Sequence, residues 1–249
     1  MKKTLLSLLL LLLLSVGSSS VFAQQYTGMT GLLHVPSAEM DTIENLRFGV
    51  HALPTDMMPD AMLFEGEKYA SSNWYISAMP LKWLEAGYSF TLMKYRKNLN
   101  KKSDEIGFYS KDRYFSLRIR PLNEGRYWPS VVIGGNDVIG QRDGGSYSFY
   151  FRNFYVATSK HIDLPFGIVG GHLAYRKWAK DYNSRWDGVV GGITLRPSIY
   201  RPLRAIAEYD GDGINIGTDC VLFRYVQLQA SLIKCRYLSA GAALRIELK

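Results

Sequence analysis

Ser159, His161 and His172 are the residue types that nucleophilic acyl transfer requires: a hydroxyl, and imidazoles to take its proton. They are candidates by type alone, because no nucleophile elbow surrounds the serine. A second group is charged. Glu208 and Arg204 share one face of a short run, with Ile206 between them, and Leu203, Ala205 and Ala207 lie on the other face. Arg118, Arg120, Arg196 and Arg245 likewise oppose apolar or aromatic neighbours, while Arg152 sits in a run that is aromatic on both faces. Carboxylate and guanidinium groups placed this way suit a buried polar network or a polar lining for a glycan. A third candidate, Asp210-Gly211-Asp212-Gly213, lacks the full ligand set of a calcium loop and reads as a hairpin turn. The histidines at 34, 51, 161 and 172 show no metal-ligand spacing, so neither a metal nor a cofactor is expected.

The elements that must carry these residues are strands. Apart from the N-terminal stretch, no segment has a convincing helical period, whereas period-two alternation recurs. Twelve candidates follow: Leu46–Leu53, Asn73–Met79, Leu84–Tyr95, Tyr114–Arg120, Ser130–Ile139, Tyr147–Lys160, Phe166–Tyr175, Val189–Arg196, Leu203–Tyr209, Ile214–Phe223, Val226–Lys234 and Tyr237–Leu248. In the last, Leu238, Ala240, Ala242, Leu244, Ile246 and Leu248 oppose Ser239, Gly241, Arg245 and Glu247. A turn near Arg224 would pair Cys220 with about Leu228 rather than Cys235, so both cysteines are expected to be free thiols. The doublets Gly134-Gly135, Gly144-Gly145, Gly170-Gly171 and Gly191-Gly192 precede no helix. They are expected at bends or close backbone approaches, not at phosphate loops.

A soluble sandwich turns the apolar face of such strands inward, and a transmembrane barrel turns it toward lipid. Strand length favours the barrel, since many candidates approach the nine to eleven residues of a tilted membrane strand. So does the even count. Aromatic residues recur near strand ends at Trp74, Trp83, Tyr95, Tyr127, Trp128, Tyr175, Trp178, Trp186 and Tyr200, as interfacial girdles require. Tight turns at Asp210–Gly213 and Arg224-Tyr225 mix with longer polar segments at Lys97–Asp112 and Arg176–Asp187. The chain ends Ile246-Glu247-Leu248-Lys249, without the terminal aromatic of many outer-membrane barrels. An all-β, antiparallel transmembrane barrel of about twelve strands is the expectation. A carboxylate facing lipid is costly, so Glu208 should point into the lumen, toward the arginines.

The first 23 residues read as an export signal. Lys2 and Lys3 precede a leucine-rich run from Leu5 to Leu14, and Val21-Phe22-Ala23 suits cleavage after Ala23. Residues 24–249 then form one domain. The formal net charge of +8 is spread along the chain, with one dense run at Lys94–Lys102, a solvated loop or a contact for anionic glycan or lipid headgroups. No zinc-finger spacing or basic helix points to nucleic acid.

Several segments together carry a resemblance. Tyr26-Thr27-Gly28-Met29-Thr30-Gly31-Leu32-Leu33-His34-Val35-Pro36-Ser37-Ala38, followed by Leu46-Arg47-Phe48-Gly49, resembles the opening of the YjbH family. Phe115–Leu122 with Tyr127–Gly134, the strand Phe154–Lys160 and the turn Ala207-Glu208-Tyr209-Asp210-Gly211 are similar to further blocks of that family, in order. The resemblance implies an outer-membrane β-barrel linked to exopolysaccharide and capsule production, and a non-enzymatic role in assembling, exporting or retaining the polymer. Implied partners are outer-membrane lipid, exopolysaccharide and polysaccharide-export proteins. Longer members carry a C-terminal extension that this sequence lacks. The alternatives are a general pore or structural barrel, and a lipid-modifying enzyme.

Overall fold

The computed structural model describes residues 24–41, 44–97, 105–140, 142–143, 146–147 and 149–248. The export signal expected at residues 1–23, Gly144-Gly145 and most of the basic run at Lys94–Lys102 lie outside them. Twelve strands close into one antiparallel barrel. They are β1 (Asn45–Leu53), β2 (Ser71–Leu81), β3 (Leu84–Arg96), β4 (Ile106–Leu122), β5 (Ser130–Gly140), β6 (Asn153–Leu164), β7 (Gly167–Trp178), β8 (Gly188–Pro197), β9 (Leu203–Tyr209), β10 (Ile214–Leu222), β11 (Val226–Ile233) and β12 (Tyr237–Glu247). Sequential strands pair with one another, and β12 pairs with β1 to close the ring. Two short hairpins, Leu63–Phe64 with Glu67–Lys68 and Arg142–Asp143 with Ser146–Tyr147, stand outside it.

Period-two alternation placed the strands closely, and the register of β10 on β11 sets Cys220 opposite Leu228. The strand expected at Tyr147–Lys160 begins at Asn153. The polar segment Lys97–Asp112 is partly strand, because β4 starts at Ile106 and pairs there with Arg96. Alternation is weak over these aromatic and charged stretches, so backbone pairing sets the boundary there.

The wall is polar inside and apolar outside. On β4, Asp112, Ser116 and Arg118 are buried, while Phe115, Leu117 and Ile119 are exposed. Outward positions elsewhere include Phe48, Ile133, Val156, Leu173, Ile193, Tyr209 and Leu244. This surface is matched to lipid and not to water. Trp74, Trp83, Tyr95, Tyr127, Trp128 and Tyr175 lie exposed, as girdle residues should. Trp178 and Trp186 do not. Each is only 2% exposed, and they pack on each other and on His34 inside the barrel. In β7 the inward parity runs His172, Ala174, Arg176, Trp178, so a tryptophan near a strand end need not face lipid.

A ring of twelve strands is wider than wall side chains alone can fill. The chain fills it with its own N-terminal segment. Every residue from Gln24 to Asp41 is buried in the lumen. Leu32, Leu33, Val35, Ala38 and Met40 of this plug pack against Met79, Val132, Tyr155, Ala157, Ala174, Val190 and Ile206 of the wall. Gly28 allows one tight approach: its φ is +81°, and a Cβ there would lie 2.4 Å from the ring of Tyr75.

Candidate functional site

The plug has almost no regular structure, so its backbone polar groups need partners that a helix or sheet would otherwise supply. Wall carboxylates take the N–H groups. Glu208 on β9 accepts from the backbone of Leu33 at 3.0 Å, His34 at 2.8 Å and Val35 at 3.2 Å, and from Asn215 Nδ2 at 2.9 Å. Glu85 on β3 accepts from Thr30 N and from its hydroxyl, both at 2.9 Å. Ser159 on β6 accepts from Ala38 N at 2.8 Å.

Wall guanidiniums take the carbonyls. Arg118 donates to the carbonyl oxygens of Thr30, Ser37 and Glu39. Arg176 donates to His34 O at 2.8 Å and Arg204 to Gly31 O at 3.3 Å. Asn73, Ser89 and Gln229 donate to the carbonyls of Tyr26, Thr27 and Gln24.

Ion pairs join the same groups. Arg204 meets Glu39 at 2.6 Å and Asp219 at 3.1 Å. Arg196 reaches Glu39 at 3.2 Å and Arg245 reaches Asp41 at 2.7 Å. Glu85 is shared between Arg47 and Arg118. Burial favours the neutral acid at Glu39, but Arg204, His161, His172 and Arg196 outweigh it and hold the carboxyl well below the usual range.

The candidate residues therefore divide. Arg118, Arg196, Arg204, Glu208 and Arg245 meet in the lumen, around the plug. Arg120 has lumen parity but sits at the rim, donating to Lys82 O at 2.8 Å. Arg152 is not part of the lumen network. It precedes β6 with the parity of exposed Phe154, lies over the Phe149 ring, and donates to the carbonyls of Asp137 and Val138. Glu208 points inward, but its oxygens meet plug N–H groups and no arginine. Its two oxygens are taken up by the N–H groups of Leu33, His34 and Val35 and by Asn215 Nδ2. Sequence reasoning missed Glu39, Asp41, Arg47, Glu85, Arg176 and Asp219. Alternation carried a signal for Arg47, Glu85, Arg176 and Asp219, which hold inward parity, and none for Glu39 and Asp41, which lie in the plug.

Ser159 Oγ lies 2.8 Å from His172 Nδ1, a nucleophile–base separation. The serine is 1% exposed and already accepts the N–H of Ala38, so the plug covers the oxygen a substrate would have to reach. His172 Nε2 contacts Thr194 Oγ1 at 3.0 Å. Asp210–Gly213 is the turn between β9 and β10. Asp210 Oδ1 accepts from the N–H groups of Asp212 and Gly213, and Oδ2 meets His34 Nδ1 and Asn215 Nδ2, each at 3.0 Å. Burial alone would raise the pKa of Asp210, but the His34 and Asn215 hydrogen bonds lower it below the usual carboxylate range.

Comparison with known proteins adds the following. No curated protein matches the sequence significantly. Among solved structures, the fold is similar to outer membrane phospholipase A from Escherichia coli, with a TM-score of 0.34 and 11% identity over 84% of this chain and 97% of that one. A likeness at that level says nothing of this chain's chemistry. The YjbH family model, described as exopolysaccharide biosynthesis protein YbjH, matches residues 23–249, from the plug to the end of the barrel. The chain belongs to the YjbH family of exopolysaccharide biosynthesis proteins.

Proposed function

We propose that the protein is a plugged, non-enzymatic barrel of the Gram-negative outer membrane that serves the export or retention of an exopolysaccharide. The observation that carries this reading is the plug. A lumen filled by Gln24–Asp41 and closed by buried charge is not a standing pore. Polymer is then handled at the barrel's ends, or passes only after the plug is displaced. Outer-membrane lipid surrounds the apolar wall, and exopolysaccharide and polysaccharide-export proteins are the partners. Residues 1–23 deliver the chain and are removed after Ala23. The end that carries the short turns at Lys82-Trp83, Pro165-Phe166 and Phe223–Tyr225, and the start of β1, faces the periplasm, as short turns do in this architecture. The test combines conductance with genetics. Purified barrel in a planar bilayer should show no steady conductance, and deletion of the chain from its host should reduce surface polysaccharide. A stable open channel in the native protein, with polysaccharide unchanged in the deletion strain, would favour a general pore instead.

A further inference from the structure

Two histidines of one hairpin and a glutamate 122 residues before the first of them meet at the short-turn end of the lumen. Glu39 comes from the plug, His161 from β6 and His172 from β7, and one donor atom of each lies within 4.8 Å of the other two. We propose that Glu39, His161 and His172 bind a divalent first-row transition metal of the zinc class, with water completing the coordination.

Two imidazoles and one carboxylate are a donor set that zinc accepts, with a position left open. His161 Nε2 lies 3.1 Å from Glu39 Oε1, close to the ~3.3 Å that separates two ligands around a tetrahedral zinc ion bonded at ~2.0 Å. Each ligand is oriented from behind. His161 Nδ1 meets Glu124 Oε2 at 2.7 Å, and His172 Nδ1 meets Ser159 Oγ at 2.8 Å. Glu39 Oε2 is held by Arg204 at 2.6 Å, which leaves Oε1 as the ligand atom. A carboxylate or hydroxyl behind each metal-bound imidazole fixes the ring and raises its basicity.

Space is kept for the ion. A Cβ on Gly170 would stand 2.5 Å from Thr194 Oγ1, 2.8 Å from His172 Nε2 and 2.9 Å from His161 Cδ2, filling the space that these side chains border. Access is also kept, because the His161 side chain is 24% exposed while Glu39 is buried. The surrounding charge is mixed. Glu39 and Glu124 face Arg196, Arg204 and Lys160, and Asp219 takes part of the Arg204 charge. Binding displaces the proton shared between His161 Nε2 and Glu39 Oε1 to solvent. It also releases the contacts that Arg196 makes with Oε1 and Thr194 makes with His172 Nε2. The bound ion would tie the plug to two wall strands. This site does not depend on a role in polysaccharide export.

The test uses tag-free, folded protein in detergent, stripped with chelator and equilibrated with Zn2+ alone, with metal counted per chain after gel filtration. Native protein should retain about one zinc, with Co2+ giving the visible bands of a four-coordinate site. His172→Asn and Gly170→Ala should each lose it, the second without removing a ligand. Glu124→Gln should weaken it by about tenfold. His51→Asn, a buried histidine elsewhere in the lumen, should keep it. Heat-modifiable gel mobility confirms that each variant is a closed barrel. The proposal is overturned if folded native protein retains no zinc, or if folded His172→Asn and Gly170→Ala bind it as native does.

Discussion

The backbone N–H of His34 in the plug donates to Glu208 on the barrel wall at 2.8 Å, across 174 residues of sequence. The same carboxylate takes the flanking N–H groups of Leu33 and Val35. It acts as a substitute for the strand or helix partner that this stretch of plug lacks.

Replacing Glu208 with Leu should therefore orphan the N–H groups of Leu33, His34 and Val35 and leave no arginine unpaired. Each buried donor left without a partner costs about 1–3 kcal/mol. The expected result is a marked fall in thermal stability of the closed barrel, read as loss of heat-modifiable mobility. Glu208→Gln keeps an acceptor oxygen and should lose less.

Arg118 gathers three plug carbonyls and also faces Glu85. Arg118→Met removes those donors and leaves a buried carboxylate with one cation fewer. Loss of one partner from a buried pair costs about 3–5 kcal/mol. The plug should loosen at its turn near Thr30, and protease added to the folded barrel should cut between residues 24 and 41, where the native chain resists.

Gly28→Ala combines a strained φ with a collision against Tyr75. Overpacking of a filled interior costs about 1–3 kcal/mol. The expected outcome is a lower melting temperature. It should not be rescued by Tyr75→Phe, which keeps the ring and removes only the hydroxyl that donates to Gln24 Oε1.

The tryptophans divide by environment. A variant retaining only Trp178 and Trp186 should resist fluorescence quenching by lipids with brominated chains, because both rings lie inside the wall. A variant retaining only Trp74, Trp83 and Trp128 should be quenched, because these are exposed on the outer surface or rim.

Asp210 makes its contribution as a carboxylate, so its sign is fixed. Its pKa lies below the ordinary 3.8, and the stability it adds is complete above that value and is lost as pH falls below it. The stability difference between native protein and Asp210→Asn should be constant from pH 5 to pH 8 and shrink in stronger acid. Chemical unfolding at several pH values reads it directly.

The strands were legible because lipid outside and polar groups inside impose a strict period of two, clearest in β11 and β12. Inward placement of Arg118, Arg196, Arg204, Glu208 and Arg245 follows from that period. What those charges hold was not legible. The plug carries no period, and its contacts join residue 34 to residue 208 and residue 39 to residue 204. Trp178 misled because its position near a strand end is shared by girdle and interior residues, and only parity separates them. Arg152 misled because the strand begins after it, at Asn153.

Whether Gln24–Asp41 fills the lumen can be read from one site. Val35 has no exposed surface, so Val35→Cys, in a background with Cys220 and Cys235 replaced by Ser, places a single thiol at the centre of the plug. In the folded barrel this thiol should stay unmodified by a charged maleimide and become reactive when Glu208→Leu is added. Rapid labelling of Val35→Cys in the otherwise native, folded barrel would contradict a closed plug.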